Sequence, residues 1–396
     1  MLDFTKEYDV AICGAGIAGI AAALASARQG CKTCLIEKQM SLGGLATSGL
    51  IFIYLPLCDG NGTQVTFGIA EELLLHSLKY GPFDLPEDWG GKKGGNFTLG
   101  INRYQCCFSP AGYILELDKL LKDAGVDLWL DTLVTDAETK ENNRIESIEV
   151  CNVSGKGKIK ASTFIDASGN ASLIRRAGGK VFQELNYVTP WVIEHNPNCS
   201  HFFFSPNIHV KNIGAYDKHL EFKGDTLTGK GNTQFMQECY EILRNYYDAF
   251  EKEDPEARVN TYPLTLPGMV QFRKAARIDG IETLSTGQQN TYFDNSVGLY
   301  GAWHNVGHVW ETPYGTLLPK DVSGVLAAGR CISTSGDAWE AFRVIPAAAM
   351  TGEIAGIAAA MAHKEKCDPR EINLENLRAT LRKNNFKFHL DEVFPK

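Results

Sequence analysis

Apolar positions come first as unbroken runs and only later as stripes. Residues 8–13, YDVAIC, form a short run that is apolar apart from Asp9, as a strand buried on both faces of a parallel sheet requires. Gly14, Gly16 and Gly19 follow, then the small-residue run IAAALASARQG, then a second apolar stretch, CKTCLIE, that closes on Glu37. This order predicts a strand, a tight turn, a closely packed helix and a second parallel strand. In the resulting G-x-G-x-x-G, Gly14 permits the turn, Gly16 lets backbone approach a pyrophosphate, and Gly19 lets the helix pack on the strand. The helix start, with Ala18 in its first turn, offers free N–H groups and a positive dipole end to phosphates. Glu37, with Lys38 beside it, stands where an acid binds ribose hydroxyls, which disfavours a 2′-phosphate and hence NADP. Together these features predict dinucleotide binding.

Downstream, KQMSLGGLATSGLIF places Gly43 and Gly44 just after the ribose acid, either as a surface loop or as backbone drawn close to a ligand. Residues 67–79 carry an amphipathic helical stripe, and residues 81–100 are rich in Gly, Pro, Asp and Lys, which predicts an excursion. Residues 108–124 read as a helix with Ser109 as cap and Pro110 at its first position. Alternation through IESIEVCNV and KIKASTFI, broken by SGKG, predicts an antiparallel ribbon ending in FIDASG, with bare backbone at Gly169 and a short helix, SLIRRAGG, after it. From about 183 to 315 the texture changes: aromatic pieces such as HFFF at 201–204 surround one long helix, TQFMQECYEILRNYYDAFEK. Small residues then return, with a buried strand near Val325 and a helix opened by Pro346. The tail, DPREINLENLRATLRKNN, predicts an amphipathic packing helix.

A chain of 396 residues is long for one core and predicts two lobes. Its net charge of −8, without an offsetting basic run, argues against nucleic-acid and anionic-membrane partners. No apolar stretch of membrane-span length is free of charges, and MLDFTKEYDV lacks the apolar core of a secretory signal, so the expected location is cytoplasmic. Eleven cysteines in that setting predict reduced thiols. Cys31 and Cys34 are placed inside the second strand, where they would point to opposite faces, and no cysteine spacing makes a metal site.

Taken in order, GAGIAGIAAA with Glu37, the pair Gly43-Gly44, FIDASGNASLIRRAGG, FRKAARIDG and LLPKDVSGVLAAGRCIS resemble the FAD-dependent oxidoreductases of the glutathione-reductase-type superfamily. The resemblance spans nearly the whole chain. It implies an α/β fold: a Rossmann-like FAD-binding domain with a central parallel sheet and β-meander, formed by 1–182 and 316–365 with an excursion near 60–107. An inserted mixed α+β substrate domain at 183–315 and a helical tail at 366–396 complete it. By position it implies that Gly14, Gly16, Ala18 and Gly19 hold the pyrophosphate of a non-covalent FAD and that Glu37 and Lys38 attend the adenosine ribose. Gly44 would lie by the phosphates or ribityl chain, Val134 would present backbone to adenine, and Gly169 would close the second flavin turn. Gly336 and Asp337 would match the late Gly-Asp at the ribityl or phosphate region. The chain departs from the pattern at Asn170-Ala171-Ser172, where relatives commonly carry acids.

Arg343, Val344 and Ile345 precede the Pro346 helix, so a cation and a helix start could both face the flavin pyrimidine and stabilise charge taken up there; alternatively Arg343 pairs with a surface acid. No second G-x-G-x-x-G occurs, so electrons must come from or go to the substrate, a transient nicotinamide, oxygen or a protein. Arg273 and Arg277 would share a face if helical and could clamp a carboxylate or polarise a carbonyl. His304 or His308 could transfer a proton, with Glu311 and Tyr314 as further candidates and no metal expected. The expected activity is hydride transfer between FAD and a small organic molecule. A flavin monooxygenase is the alternative, the halogenase W-x-W-x-I-P run being absent, and a non-catalytic FAD-binding role is the second alternative.

Overall fold

A computed structural model describes residues 3–85, 106–198, 203–205, 207–214 and 217–394. Its central sheet grows from β1 (Phe4–Cys13), which a helix, α1 (Ile17–Arg28), connects to the parallel neighbour β2 (Thr33–Ile36). The two-residue strands β3 (Ile53–Tyr54) and β4 (Cys106–Cys107) pair with one another around α2 (Ile69–Ser77). Next, α3 (Pro110–Asp123) starts where Ser109 accepts the Gly112 N–H at 3.2 Å, as its capping sequence predicts. It leads to β5 (Asp127–Trp129), which extends the sheet beyond β2 in parallel. The alternating stretch forms β6 (Leu133–Lys140), β7 (Arg144–Asn152) and β8 (Gly155–Asp166), an antiparallel ribbon whose last strand also lies parallel to β1. The spatial order is β5-β2-β1-β8-β7-β6.

After α4 (Ser172–Arg176) and β9 (Val181–Phe182) comes a second sheet, built from β10 (Trp191–His195), β11 (Phe203–Ser205), β12 (Ile208–Asn212) and a later strand. The long helix α5 (Gly229–Glu253) and the single turn α6 (Ala257–Asn260) precede that strand, β13 (Tyr262–Thr265), giving the order β11-β12-β10-β13. This region has its own small core of Val188, Phe222, Phe235, Cys239, Phe272 and Ala275. Of the HFFF run, 201–202 lie outside the described residues, as does most of the excursion, at 86–105. The segment after β13 is irregular and contains no helix, and β14 (Arg277–Ile278) pairs with β9, so Arg273 and Arg277 do not share a helix face. Both strands of the hairpin β15 (Ser296–Gly301) and β16 (Val309–Pro313) are buried throughout, with Tyr300 and Trp310 in the main core.

The chain returns to the first sheet through β17 (Val325–Ala327), which pairs in parallel with the last residues of β8. Then follow α7 (Asp337–Phe342), α8 (Ile345–Glu365) and α9 (Leu374–Arg382). The small residues of α1 and α8 exist for each other. A Cβ on Gly352 would sit 2.2 Å from the Ala18 carbonyl oxygen, and one on Gly356 would sit 2.4 Å from that of Ala22. Among the described residues α8 alone is long and apolar enough to cross a membrane, yet 89% of that apolar window is buried in the fold. Cys34 lies in β2 and Cys31 just before it, and the described cysteines are all free thiols.

Candidate functional site: a cleft at the strand ends

Parallel strands deliver their C-terminal ends to one edge of a sheet, and ligands of such sheets bind there. Here β1, β2, β8 and β17 end at Cys13, Ile36, Asp166 and Ala327, and a cleft opens over them. It has two compartments, of about 630 Å³ and 130 Å³, that share Gly14, Glu37, Lys38 and Ser168 as walls.

The three glycines of the first turn serve three different needs. Gly14 adopts φ +102°, and a Cβ there would also meet the Ala167 carbonyl oxygen at 2.7 Å. A Cβ on Gly19 would lie 1.8 Å from the Gly14 carbonyl oxygen. Gly16 is different: its φ is −69°, open to any residue, and a Cβ would find no protein atom within 4 Å. Neither backbone nor packing accounts for it, and it lines the cleft. It also heads α1, whose first N–H groups receive no side-chain cap. Gly43 and Gly44 bring a second loop against this turn, both at positive φ, with the Gly43 N–H donated to the Ala15 carbonyl at 2.9 Å.

Glu37 is buried, and its carboxylate accepts the backbone N–H of Ala15 at 2.7 Å and of Gln39 at 2.9 Å. A carboxylate can accept about four hydrogen bonds, so capacity for ribose hydroxyls remains. Val134, at the start of β6, lines the larger compartment with Lys38, Arg175 and Arg176. Among the described residues, Lys38, Arg175 and Arg176 have no carboxylate within ion-pair distance, so this wall favours an anionic ligand despite the chain's negative balance.

The second turn is organised by buried Asp166, which accepts the Ser168 hydroxyl at 2.6 Å and the N–H groups of Ser168 and Ile174 at 3.1 and 3.0 Å. Burial raises its pKa against the opposing effect of these bonds. Gly169 at φ +73° then faces Arg330, whose Nε donates to the Gly169 carbonyl at 2.7 Å and whose Nη1 donates to the Phe272 carbonyl. Burial lowers the Arg330 pKa to about 10, and the like charge of Arg343 acts in the same direction. The smaller compartment ends at Arg343, Val344 and Ile345, where α8 begins with Pro346 in its first turn.

The cleft thus gathers Gly14, Gly16, Ala18, Glu37, Lys38, Gly44, Val134, Gly169, Arg343 and Ile345, with Gly19 packed directly beneath. Gly336 and Asp337 do not line it. Their N–H groups are taken by Glu184 Oε1 at 3.1 Å and Thr286 Oγ1 at 3.0 Å. Arg273 donates to Thr189 Oγ1 at 3.3 Å and is not among the residues lining the cleft, although the carbonyl of its neighbour Phe272 is bonded by Arg330 of the cleft wall. His304 packs edge-on against Trp303, the ring beside Arg343. Buried Glu311 accepts from Phe293, His389 and Leu390, and the Tyr314 hydroxyl donates to the Pro369 carbonyl, so both fasten the tail. Arg330 was not anticipated; the only hint was one cation inside the apolar run LAAGRCIS.

The model of the FAD dependent oxidoreductase family matches residues 9–261 and 285–381, and the chain belongs to that family. Two relatives are digeranylgeranylglycerophospholipid reductases. That of Picrophilus torridus is 26% identical over 314 residues, and that of Thermoplasma acidophilum 23% over 309. Each match covers 69% of this chain and 72% of the relative. A solved structure of a flavin-dependent brominase variant matches with a TM-score of 0.50 at 16% identity, covering 95% of this chain and 84% of the other, a likeness of fold. The protein is a flavoenzyme of the FAD oxidoreductase family with non-covalently bound FAD.

Proposed function

We propose that the chain transfers hydride between a small organic substrate and FAD held along this cleft. The observation that carries the reading is Gly16: a glycine that nothing in the protein requires, at the uncapped head of α1, facing the cleft. A pyrophosphate needs both the space and the N–H groups found there. With the phosphates at Gly14 and Gly16, Glu37 and Lys38 take the ribose and the Val134 backbone takes adenine. Gly44, Gly169, Ala18 and Ile345 flank the remainder, and Arg343 faces the flavin. The bound FAD supplies reversible two-electron chemistry. The protein orients it, dries the compartment through its apolar walls and presents cations to the end where charge accumulates.

His304, one ring removed from Arg343, is the proposed proton carrier, and Arg273 the proposed clamp for a substrate carboxylate or carbonyl from the inserted region at 183–315. Gly336 and Asp337 act here only indirectly, Gly336 by holding Glu184, which Lys274 links to Glu340 and so to Arg343. That the relatives from Picrophilus torridus and Thermoplasma acidophilum are reductases favours electrons flowing from FAD to the organic substrate, with an external reductant, a reduced nicotinamide or a reduced protein, completing the cycle. The test is an anaerobic screen of candidate metabolites and reductants. Bleaching of the visible flavin band by one partner, with colour restored by another, is expected. A flavin that no organic compound bleaches or reoxidises contradicts hydride transfer, and stoichiometric oxygen incorporation into product would instead mark a monooxygenase.

A further inference from the structure

Two guanidinium groups converge on the far end of the cleft, and they are held differently. Arg330 has no carboxylate within ion-pair distance among the described residues. Arg343 has one: Glu340 Oε2 lies 2.7 Å from both Nε and Nη2. Glu340 is itself held by two further groups. Its Oε1 meets Lys274 Nζ at 3.2 Å, its carbonyl accepts the Trp303 indole N–H at 2.9 Å, and the Trp303 ring lies 5.8 Å from the Arg343 guanidinium. Lys274 continues to Glu184 at 3.0 Å, so the chain of charges runs from the inserted region to the cleft wall. These side chains are one-third exposed or less. Burial alone would raise the Glu340 pKa, but Arg343 and Lys274 hold it down at about 2, so the carboxylate keeps its charge.

We propose that Glu340 is a positioning residue that aims the Arg343 guanidinium at the flavin end of the cleft and tempers the positive field there, thereby setting how readily bound FAD accepts electrons. The proposal rests on the placement of the flavin given above. Reduction adds negative charge to the ring, so each cation facing it favours reduction and each carboxylate opposes it. Glu340 adds no contact to the cleft itself and acts only through Arg343 and its own charge.

Glu340→Gln keeps the shape and one acceptor but removes the charge. In the FAD-loaded protein, reduction measured against a reference dye should shift toward the reduced form by about tenfold, about 30 mV for a two-electron couple. Arg343→Gln should shift it the other way, and Glu340→Asp should stay closer to the parent than Glu340→Gln does. FAD content and thermal unfolding, recorded on the same samples, separate this effect from misfolding. An E340Q potential equal to the parent's with FAD still bound overturns the proposal, whatever Arg343→Gln does. A parent chain that takes up no FAD overturns the reading beneath it, and this proposal with it.

Discussion

At the residue scale, Gly16 and Gly19 stand three positions apart in one motif and should fail in opposite ways. Gly19→Ala forces a methyl into the Gly14 carbonyl and should destabilise the FAD-free protein by about 1–3 kcal/mol. Gly16→Ala meets no protein atom, so unfolding should move by less than about 0.5 kcal/mol while FAD affinity falls about tenfold or more. Chemical denaturation and flavin titration of both variants check this; a Gly16 variant with parental affinity contradicts the pyrophosphate assignment. Glu37→Ala removes the acceptor for Ala15 and Gln39 as well as the ribose acid, so FAD should be lost on gel filtration. Undiminished FAD content would count against the ribose role. The glycines and Glu37 were legible in the sequence because their spacing alone encodes a turn. Arg330 and Glu340 were not, since their roles depend on Gly169, Phe272 and Lys274, which are distant in the chain.

At the element scale, the α1–α8 contact ties both helix starts of the cleft together. Gly352→Val should overpack it, lower the melting temperature and release FAD together, because Ala18 and Ile345 move with their helices. α8 also carries buried Glu353, which accepts the Ile69 N–H and the Asn384 side-chain N–H, both at 2.6 Å, and whose pKa burial raises from 4.5 to about 7. The folded state therefore holds this proton more tightly than the unfolded one, and stability falls as pH rises from 4.5 through about 7, by about 3 kcal/mol. Glu353→Gln should flatten that slope in denaturation curves; a parental slope in the variant contradicts it. Strands and helices of the central sheet and its flanks were readable because their hydrophobic periods were strong. The 270–280 segment misled because a four-residue spacing means a shared face only inside a helix, and β14 is extended.

At the scale of the whole molecule, the doubly paired β8 unites a parallel sheet and an antiparallel ribbon; the alternating pattern predicted the ribbon, and the family resemblance implied the parallel sheet it joins. Residues 183–315 were readable only as a change in texture, because the second core is small and the aromatic positions carry little periodicity. The tail closes the molecule by binding Glu311 and Tyr314, residues whose polarity had suggested chemistry. Glu311→Ala should leave the Phe293, His389 and Leu390 donors unpaired and cost about 3 kcal/mol in denaturation experiments; a loss below about 1 kcal/mol contradicts this. The claim on which everything else depends is that the cleft holds FAD without a covalent bond. Acid precipitation of the purified chain, followed by identification of the flavin in the supernatant, tests it most directly. Stoichiometric release of intact FAD is the predicted result; a colourless chain that takes up no FAD, or flavin that stays with the precipitate, would contradict it.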